Sequence, residues 1–497
     1  MAEAHEGTAN MRGRVLRGLG WVAASQAGGQ LARALAAIAI ARLLTPDEYG
    51  LAALALIFSS LVLVFSDLAL GAALVQRRTL TEADRCTAFW VTVASGALFT
   101  LIGVACAGPV AALYGQPDAR PLLLALSATF VVSALGATQQ SLMLREMDFR
   151  RVEVLPMIGI LAGGAAGVAA AALGHGAWAL ISQQLVAVAV TTVLVWVRSP
   201  WRPGRTFSVA SARDLGGFSA YMLGHRMLFY LQANGDRFLI GRFLGTAALG
   251  TYAVAYNTML VPASRIGGPL QRVMSPAFSR LQDEPERIAA AWVRVARLMA
   301  VVTVPALAGL VVVAPDFVPL VLGAHWAAAV PVVQVLAWVG IVQALQGLTT
   351  DILMARGRAR TIFRFSVVLT SAHLVAFAAG LHWGVVGVAV AYAVSTTLVE
   401  PGLTVLAARS LGVSPLRFVR GVAGVFQAAL LMCGAVLAVR LLLPDAAAAE
   451  RLVACVATGL VVFPPLCAWR APEVLGELRG MLGRRGRTAA LAAPASR

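Results

Sequence analysis

Long apolar runs alternate with short polar segments along all 497 residues of the chain. A membrane-spanning helix needs about 20 mostly apolar residues, and fourteen segments of the chain meet that requirement. Their approximate limits are 18–41, 49–75, 87–113, 121–143, 154–173, 177–197, 216–241, 249–270, 296–314, 327–350, 363–381, 384–406, 421–442 and 452–469. The pattern predicts an all-α polytopic membrane protein with about 14 transmembrane helices, or 12 if two adjacent spans are lost.

The composition agrees with this pattern. Hydrophobic residues make up 59% of the chain and charged residues 13%, with a mean hydropathy of +0.80. A soluble domain carries about 25% charged residues, so the composition excludes an ordinary soluble enzyme, a coiled coil and a disordered chain. The first apolar run is long and is interpreted as a retained span rather than a signal peptide.

The basic residues define an orientation. All 40 of them are arginines, and they exceed the 23 acidic residues to give a net charge of +17. If the N-terminus is cytoplasmic and the spans alternate, 31 arginines lie in cytoplasmic segments, five in outer segments and four within spans. Positive charge favours the cytoplasmic side, so both termini are predicted to be cytoplasmic. The arginine clusters follow span ends, which indicates anionic lipid headgroups as partners and no nucleic acid.

The chain also contains an internal repeat. At an offset of 200 residues the matched pairs are Arg42–Arg242, Leu44–Leu244, Gly50–Gly250, Ala53–Ala253 and Ala55–Ala255. Near an offset of 210 they are Leu126–Leu336, Ala134–Ala344, Leu135–Leu345 and Arg150–Arg360. The repeat predicts two parallel six-helix lobes, an architecture of transporters whose substrate site lies between the halves.

The spans and the repeat together predict the domain limits. Spans 13 and 14 have no counterpart in the repeat. The predicted segments are a cytoplasmic N-terminal segment 1–17, a first lobe 18–197, a cytoplasmic linker 198–215, a second lobe 216–406, two additional helices within 421–469 and a basic cytoplasmic tail 470–497.

Polar side chains within spans are costly and usually face a cavity or a partner. Gln26, Gln30 and Arg33 share one helix face, and so do Arg226, Tyr230 and Arg237. The candidates for substrate binding are Arg33, Arg226, Arg237, Arg265, Gln26, Gln30, Tyr230 and Tyr256, and those for ion coupling are Asp67, Asp236, Asp351 and Glu400. Two interpretations stay open: structural ion pairs such as Arg33–Asp67, or a cationic lumen that binds an anionic head group.

Other motifs with chemical potential have structural explanations. His175, His325, His373 and His382 lie near predicted outer span ends and are interpreted as interfacial residues without metal-ligand spacing. The glycine-rich run 162–167 lies within a span and predicts close helix packing rather than a phosphate loop. The sequence therefore predicts no cofactor and no metal site.

Three segments carry a resemblance to a known family. They read ARLLTPDEYGLAALALIFSSLVLVFSDLALGAALVQRRTLTEADRCTAFW at 41–90, NGDRFLIGRFLGTAALGTYAVAYN at 234–257 and SPAFSRLQ at 275–282. They resemble the Wzx/WzxC-like flippases for lipopolysaccharide and exopolysaccharide, in the multidrug/oligosaccharidyl-lipid/polysaccharide exporter superfamily.

The resemblance implies a fold and an activity. The implied fold has two six-helix lobes in a V, with two further helices at the C-terminus. The implied activity is the flipping of undecaprenyl-diphosphate-linked oligosaccharide across the bacterial inner membrane, alongside other polysaccharide assembly proteins. Cationic lumen residues bind the pyrophosphate in that family, and this role is carried over to Arg33, Arg226, Arg237 and Arg265.

Two alternative functions remain. A multidrug exporter of the same superfamily would favour acidic lumen residues, and the balance of charges within the spans does not separate it from a flippase. A membrane glycosyltransferase or polysaccharide polymerase needs a sizeable outer loop with catalytic side chains. The one outer acidic pair, Asp47 and Glu48, lies in a short turn and is interpreted as a helix start, so the protein is predicted not to be an enzyme.

Overall fold

The computed structural model describes residues 28–30, 32–66, 74–75, 80–211, 219–259, 274, 278, 281 and 284–477. These residues are almost entirely helical, and none of them forms a strand. The helices are α1 (Pro46–Ser66), α2 (Glu82–Tyr114), α3 (Ala119–Arg145), α4 (Phe149–Ala172), α5 (Trp178–Arg198), α6 (Ser219–Phe243), α7 (Pro285–Phe317), α8 (Val330–Gln346), α9 (Thr349–Ala355), α10 (Ala359–Gly380), α11 (Gly384–Val399), α12 (Pro401–Leu411), α13 (Pro415–Leu442) and α14 (Ala448–Arg470). Residues 32–43 and 246–259 are also helical.

The predicted spans correspond to long apolar helices. Within the described residues, nine helical runs are long and apolar enough to cross a membrane. They match ten of the predicted spans, because one run from Arg360 to Leu411 covers two of them. The other four predicted spans each include residues outside the described ranges. The protein is therefore an all-α, multi-pass membrane protein.

Helix α7 begins well before the apolar segment predicted at 296–314. It starts at Pro285, and Ile288 and Trp292 in its first turns are buried. Arg294 on the same stretch is 62% exposed. This part of the helix is amphipathic, and a hydropathy pattern locates only the uniformly apolar part of such a helix.

The chain forms two compact units, Met1–Gly250 and Thr251–Arg497. In the first unit α3 packs against α1, α2 and α5, and α4 packs against α5. Gly163 permits the α4–α5 contact, because a Cβ atom there would lie 2.3 Å from the carbonyl oxygen of Gln183. Helix α6 packs against α1, and the first compact unit extends through α6 to Gly250.

The second unit is organised around α7. This helix contacts α8, α13 and α14, and α8 in turn packs against α11. Helices α10 and α11 form an adjacent pair. The two C-terminal helices α13 and α14 are thus attached to the unit through α7.

The repeat at an offset of 200 residues is visible in the backbone. The N–H of Leu44 donates to the carbonyl of Ile40 at 3.0 Å, and the N–H of Leu244 donates to that of Ile240 at 2.8 Å. Both turns are followed by a new helix, one beginning at Pro46 and the other at position 246. The two copies therefore share a helix end, a turn and a helix start.

The repeat at an offset of 210 residues is also visible in equivalent backbone hydrogen bonds. The N–H of Asp148 donates to the carbonyl of Met143 at 3.0 Å, and the N–H of Arg358 donates to that of Leu353 at 2.9 Å. The residue before each donor is left-handed: Met147 has φ 57° and Gly357 has φ 68°. Each turn closes a helix C-terminus in the same way.

Candidate transport site

Two hydroxyl groups meet at one carbonyl where α6 packs against α1. The Tyr230 hydroxyl donates to the carbonyl oxygen of Ile57 at 2.9 Å, and the Ser60 hydroxyl donates to the same oxygen at 2.7 Å. The Tyr230 side chain is half-buried. The Tyr230 ring is therefore partly covered by the protein, and its hydroxyl is bound to the Ile57 carbonyl. Together these contacts fix the orientation of the side chain.

The charged residues Asp236 and Arg237 follow on the same helix. Asp236 is only 2% exposed, and its Oδ1 accepts a 2.7 Å hydrogen bond from the backbone N–H of Arg237. The Arg237 side chain is half-buried. Together with Tyr230, these residues place three of the predicted site residues on one helix of the first unit.

The two copies of the 200-residue repeat touch each other at their glycines. A Cβ atom on Gly50 would lie 1.8 Å from the carbonyl oxygen of Thr246, and one on Gly250 would lie 1.9 Å from that of Pro46. No side chain larger than hydrogen fits at either position. Beside this contact the Thr246 hydroxyl donates to Oδ1 of Asp47. The repeated motif thus forms a tight helix crossing within the first unit.

The acidic pair that follows this turn has structural roles. Thr45 donates from its backbone N–H to Oε2 of Glu48 at 2.8 Å, and the N–H of Glu48 donates back to the Thr45 hydroxyl at 3.3 Å. This is a capping box, and Asp47 accepts the Thr246 hydroxyl. Because both carboxylates stabilise the start of α1, they give no support to the catalytic alternative.

A polar group lies inside the second unit around Tyr392. Gln343 on α8 donates to the Tyr392 hydroxyl at 2.6 Å, and the His373 ring lies 5.0 Å from the Tyr392 ring, edge to face. His373 is 1% exposed, and neither of its ring nitrogens has a hydrogen-bond partner within the described residues. The interfacial interpretation of His373 is therefore wrong, because the packing of α10 on α11 turns this residue inward. The other three histidines, at 175, 325 and 382, are exposed.

Glu400 lies at the junction of α11 and α12, two turns after Tyr392 in the sequence. Its side chain is 4% exposed, and the described residues offer its carboxylate neither a hydrogen bond nor an ion pair. One turn away, Gln346 and Thr404 exchange hydrogen bonds of 2.8 and 3.1 Å. A buried carboxylate without a partner is costly in a membrane span, which marks Glu400 as a functional candidate.

The remaining predicted site residues divide into two groups. Gln26, Asp67 and Arg265 lie outside the described residues. Arg226 lies on α6, and its side chain is also outside the described part.

The others are described. Gln30 is half-buried and Arg33 is exposed, both before α1. Tyr256 is 8% exposed and stacks on Tyr252 with 6.2 Å between ring centroids. Asp351 is half-buried in the first turn of α9. Across the described ranges, no group of three His, Cys, Asp or Glu side chains is placed to hold a metal ion.

Sequence reasoning missed an acidic residue in the second unit. Asp316, at the end of α7, accepts from Nε of Arg440 at 2.8 Å and from Nε of Arg451 at 2.9 Å. Arg451 also donates to the same carboxylate through Nη2. We name these three residues the Asp316 cluster. The sequence does contain a signal for this cluster. Asp316 is an isolated acid in an apolar stretch, and Arg440 and Arg451 lie at the facing ends of the last two predicted spans.

It also missed a cavity at the opposite end of the same helices. The cavity has a volume of about 520 Å³ and lies where α7 and α13 begin and α14 ends. Its charged lining residues are Arg294, Arg297, Arg417, Arg420, Glu473 and Glu477. We name it the basic cavity. Burial raises the pKa of Glu477, and Arg297 and Arg294 oppose that rise.

The fold has counterparts among solved structures. The lipid II flippase MurJ in its inward closed conformation matches with a TM-score of 0.70 and 12% identity, over 91% of this chain and 99% of that chain. A multidrug resistance MATE family transporter of the MOP superfamily, inward-facing, matches with a TM-score of 0.61 and 12% identity, over 77% and 94%. At this identity the likeness shows the fold alone, which is that of polytopic membrane proteins.

Sequence comparisons define the family. The model described as "Polysaccharide biosynthesis protein" matches residues 39–331. The lipopolysaccharide biosynthesis protein WzxC of Escherichia coli K12 is 30% identical over 71% of this chain and 72% of its own length. The teichuronic acid biosynthesis protein TuaB of Bacillus subtilis 168 is 30% identical over 68% and 70%. The chain belongs to this family of membrane proteins of polysaccharide biosynthesis.

Proposed function

We propose that the protein flips undecaprenyl-diphosphate-linked oligosaccharide repeat units across the bacterial inner membrane by alternating access. The product feeds lipopolysaccharide, exopolysaccharide or capsule synthesis. The observation that carries this proposal is the family match over residues 39–331, together with relatives named for lipopolysaccharide and teichuronic acid biosynthesis. The likeness to the fold of a lipid II flippase supports it.

The proposed substrate site is a polar lumen lined by side chains of the predicted spans. Arg33, Arg226, Arg237 and Arg265 bind the diphosphate, because a guanidinium pairs with two phosphate oxygens at once. Gln26, Gln30, Tyr230 and Tyr256 serve the sugar. The half-buried position of Arg237 on α6, beside the anchored Tyr230, supports this assignment.

Ion coupling is proposed for Asp67, Asp236, Asp351 and Glu400. Among these, Glu400 has the clearest support, since its carboxylate is 4% exposed and lacks a polar partner among the described residues. Burial without a partner makes the charged carboxylate costly. Binding of a proton or a cation removes that cost, so the free energy of the site depends strongly on whether one is bound. Asp67 stays a candidate from its position in the sequence.

The membrane orientation and partners follow the same proposal. Both termini are cytoplasmic, with 1–17, 198–215 and 470–497 on that side and two additional spans within 421–469. Other polysaccharide assembly proteins supply and take up the lipid-linked substrate. The protein catalyses no sugar transfer, and the use of Asp47 and Glu48 at a helix start supports that view.

Reconstitution tests the transport proposal. Purified protein in proteoliposomes should accelerate the flipping of an undecaprenyl-diphosphate-linked saccharide bearing a fluorophore. Arg237→Gln should slow flipping about tenfold, the effect of losing one charge-assisted contact. Arg242→Gln is the matched control, because Arg242 is an exposed arginine at the end of the same helix. Equal rates with and without the parent protein would refute the proposal.

The same vesicles separate the alternatives. Transport of an organic cation in place of the lipid-linked saccharide would favour the multidrug exporter. Release or transfer of sugar by the purified protein would favour an enzyme. For ion coupling, Glu400→Gln should remove the response of flipping to an imposed proton or sodium gradient, whereas Glu450→Gln at an exposed position should keep it.

A further inference from the structure

The basic cavity has an excess of positive charge that the surrounding structure does not neutralise. Four arginines line it, against two glutamates, among the residues that the structure describes. Arg420 is exposed and makes no hydrogen bond or ion pair within that part of the chain. Arg294 is 62% exposed and reaches Glu477 only at 3.7 Å. Two of the four guanidinium groups are therefore largely available to a ligand.

The other two arginines are held in place by the helix packing. Arg297 is 12% exposed; its Nε donates to the carbonyl of Gly421 at 2.8 Å and its Nη1 donates to Glu477 at 3.3 Å. A Cβ atom on Gly421 would lie 2.2 Å from Cγ1 of Val293, so glycine lets α13 approach α7 closely. Arg417 pairs with Glu286 at 2.7 Å. Arg297 and Arg417 are thus held on the wall of the cavity, whereas Arg294 and Arg420 are less constrained.

The segment that follows α14 closes one side of the cavity with carboxylates. Glu477 uses one oxygen for Arg297, and its other oxygen is buried without a hydrogen-bond partner in the described structure. Glu473 lies 3.8 Å from Arg297 and is 62% exposed. An incoming anion would compete with these two acids for the arginines, and burial raises the pKa of Glu477.

We propose that the basic cavity is a binding site for a phosphate-bearing anion, separate from the transport lumen. Arg294 and Arg420 bind the phosphate oxygens, and Glu477 competes with the ligand for Arg297. Guanidinium groups suit phosphate because their forked N–H groups match its oxygens. A volume of about 520 Å³ is within the usual range for small-molecule sites. The headgroup of an anionic phospholipid and a free diphosphate share this chemistry.

The test uses the full-length protein purified in detergent. Two probes distinguish the sources: phosphatidylglycerol in mixed micelles, against phosphatidylcholine, and inorganic pyrophosphate in solution. Bound phosphatidylglycerol is counted by native mass spectrometry, and pyrophosphate binding is measured by calorimetry. The double variant R294Q/R420Q should weaken binding of the effective probe at least about tenfold, since a charge-assisted hydrogen bond is worth about that factor.

The control is the double variant R287Q/R409Q. It removes the same charge from α7 and from α12 at exposed positions that do not line the cavity, and it should bind like the parent. Glu477→Gln should raise the affinity because it removes the competing charge. Binding of either probe that is lost in R294Q/R420Q and kept in the control supports the proposal. Absence of binding, or equal losses in both double variants, overturns it, and a lower affinity of Glu477→Gln overturns the competition with Glu477.

Discussion

The second unit carries a cluster of arginines and acids at each end of the same three helices, and the two clusters differ in what surrounds the charges. At one end the Asp316 carboxylate is 4% exposed and both of its oxygens accept from arginines. At the other end four arginines face two glutamates across a cavity of about 520 Å³, within the part of the chain that the structure describes.

The difference shows how identical residue types acquire different roles. In the Asp316 cluster each guanidinium is committed, and Arg451 also donates to the carbonyl of Pro444 in the loop between α13 and α14. Such an enclosed cluster fixes the two C-terminal helices to α7. In the basic cavity Arg420 makes no polar contact within the described residues, Arg294 reaches Glu477 only at 3.7 Å, and the space between the arginines is open. Arginines outnumber acids two to one in both clusters, so the enclosure of the charges, rather than their ratio or the arginine count, separates an internal contact from a ligand site.

Removal of the acid from the enclosed cluster should have the largest effect. Asp316→Asn leaves two guanidinium groups facing each other without a counter-charge and should lower the free energy of unfolding by about 3 kcal/mol. Denaturant titration in detergent micelles measures it. Asp445→Asn, at an exposed acid in the neighbouring loop, is the control and should leave stability unchanged. Equal stability of the two variants would mean that the Asp316 cluster does not hold the helices.

The two arginines of that cluster should contribute unequally. Arg440→Ala removes one hydrogen bond to the carboxylate and should cost about 1.5 kcal/mol of unfolding free energy. Arg451→Ala should cost more, because Arg451 donates twice to Asp316 and once to Pro444. Loss of α13–α14 packing is read from proteolysis of the intervening loop. The reverse order of stability would contradict the geometry described above.

Within the basic cavity, the least exposed arginine, Arg297, should matter most for stability. Arg297→Gln removes a hydrogen bond to the carbonyl of Gly421 and one to Glu477, which should lower the free energy of unfolding by about 1 kcal/mol. The same titration measures this change. A cost as large as that of Asp316→Asn would show that the basic cavity is held together as tightly as the Asp316 cluster, and would remove the contrast between them.

The exposed arginine should show the smallest structural effect. Arg420→Gln should change the free energy of unfolding by no more than about 0.5 kcal/mol, as is usual for exposed sites, because its side chain makes no polar contact in the described structure. The affinity of the Arg420→Gln variant for the anionic probe should nevertheless fall below that of the unsubstituted protein. The affinity of the unsubstituted protein should itself decrease from low to high salt. Strong destabilisation by this variant would assign Arg420 to the structure rather than to a ligand.

Several features of the fold follow from sequence alone because they are local. The ten predicted spans in the described ranges each correspond to apolar helix, since hydrocarbon thickness and helix rise set the length of a span. The turns at Leu44 and Leu244 have the same hydrogen bonds, as the 200-residue repeat predicts. Gly163 mediates helix packing as predicted from its small-residue run.

Other features depended on which helices become neighbours. His373 is buried because α10 packs against α11 near Tyr392, although its position along the chain indicated an interface. Helix α6, which follows the 198–215 segment, packs against α1 within the first compact unit. No periodicity within a helix encodes the identity of its neighbour, so these outcomes were inaccessible from the pattern.

The arginines show the division most clearly. The sequence by itself determined a helical membrane protein with a repeated half and a strong asymmetry of positive charge, because hydropathy and charge act on each segment separately. Only the tertiary structure decided that Arg440 and Arg451 share one buried acid while Arg294 and Arg420 border a cavity. Asp316 lies more than a hundred residues before Arg440 and Arg451 in the sequence. Only helix packing determines whether charges so distant in sequence meet a counter-charge or open space.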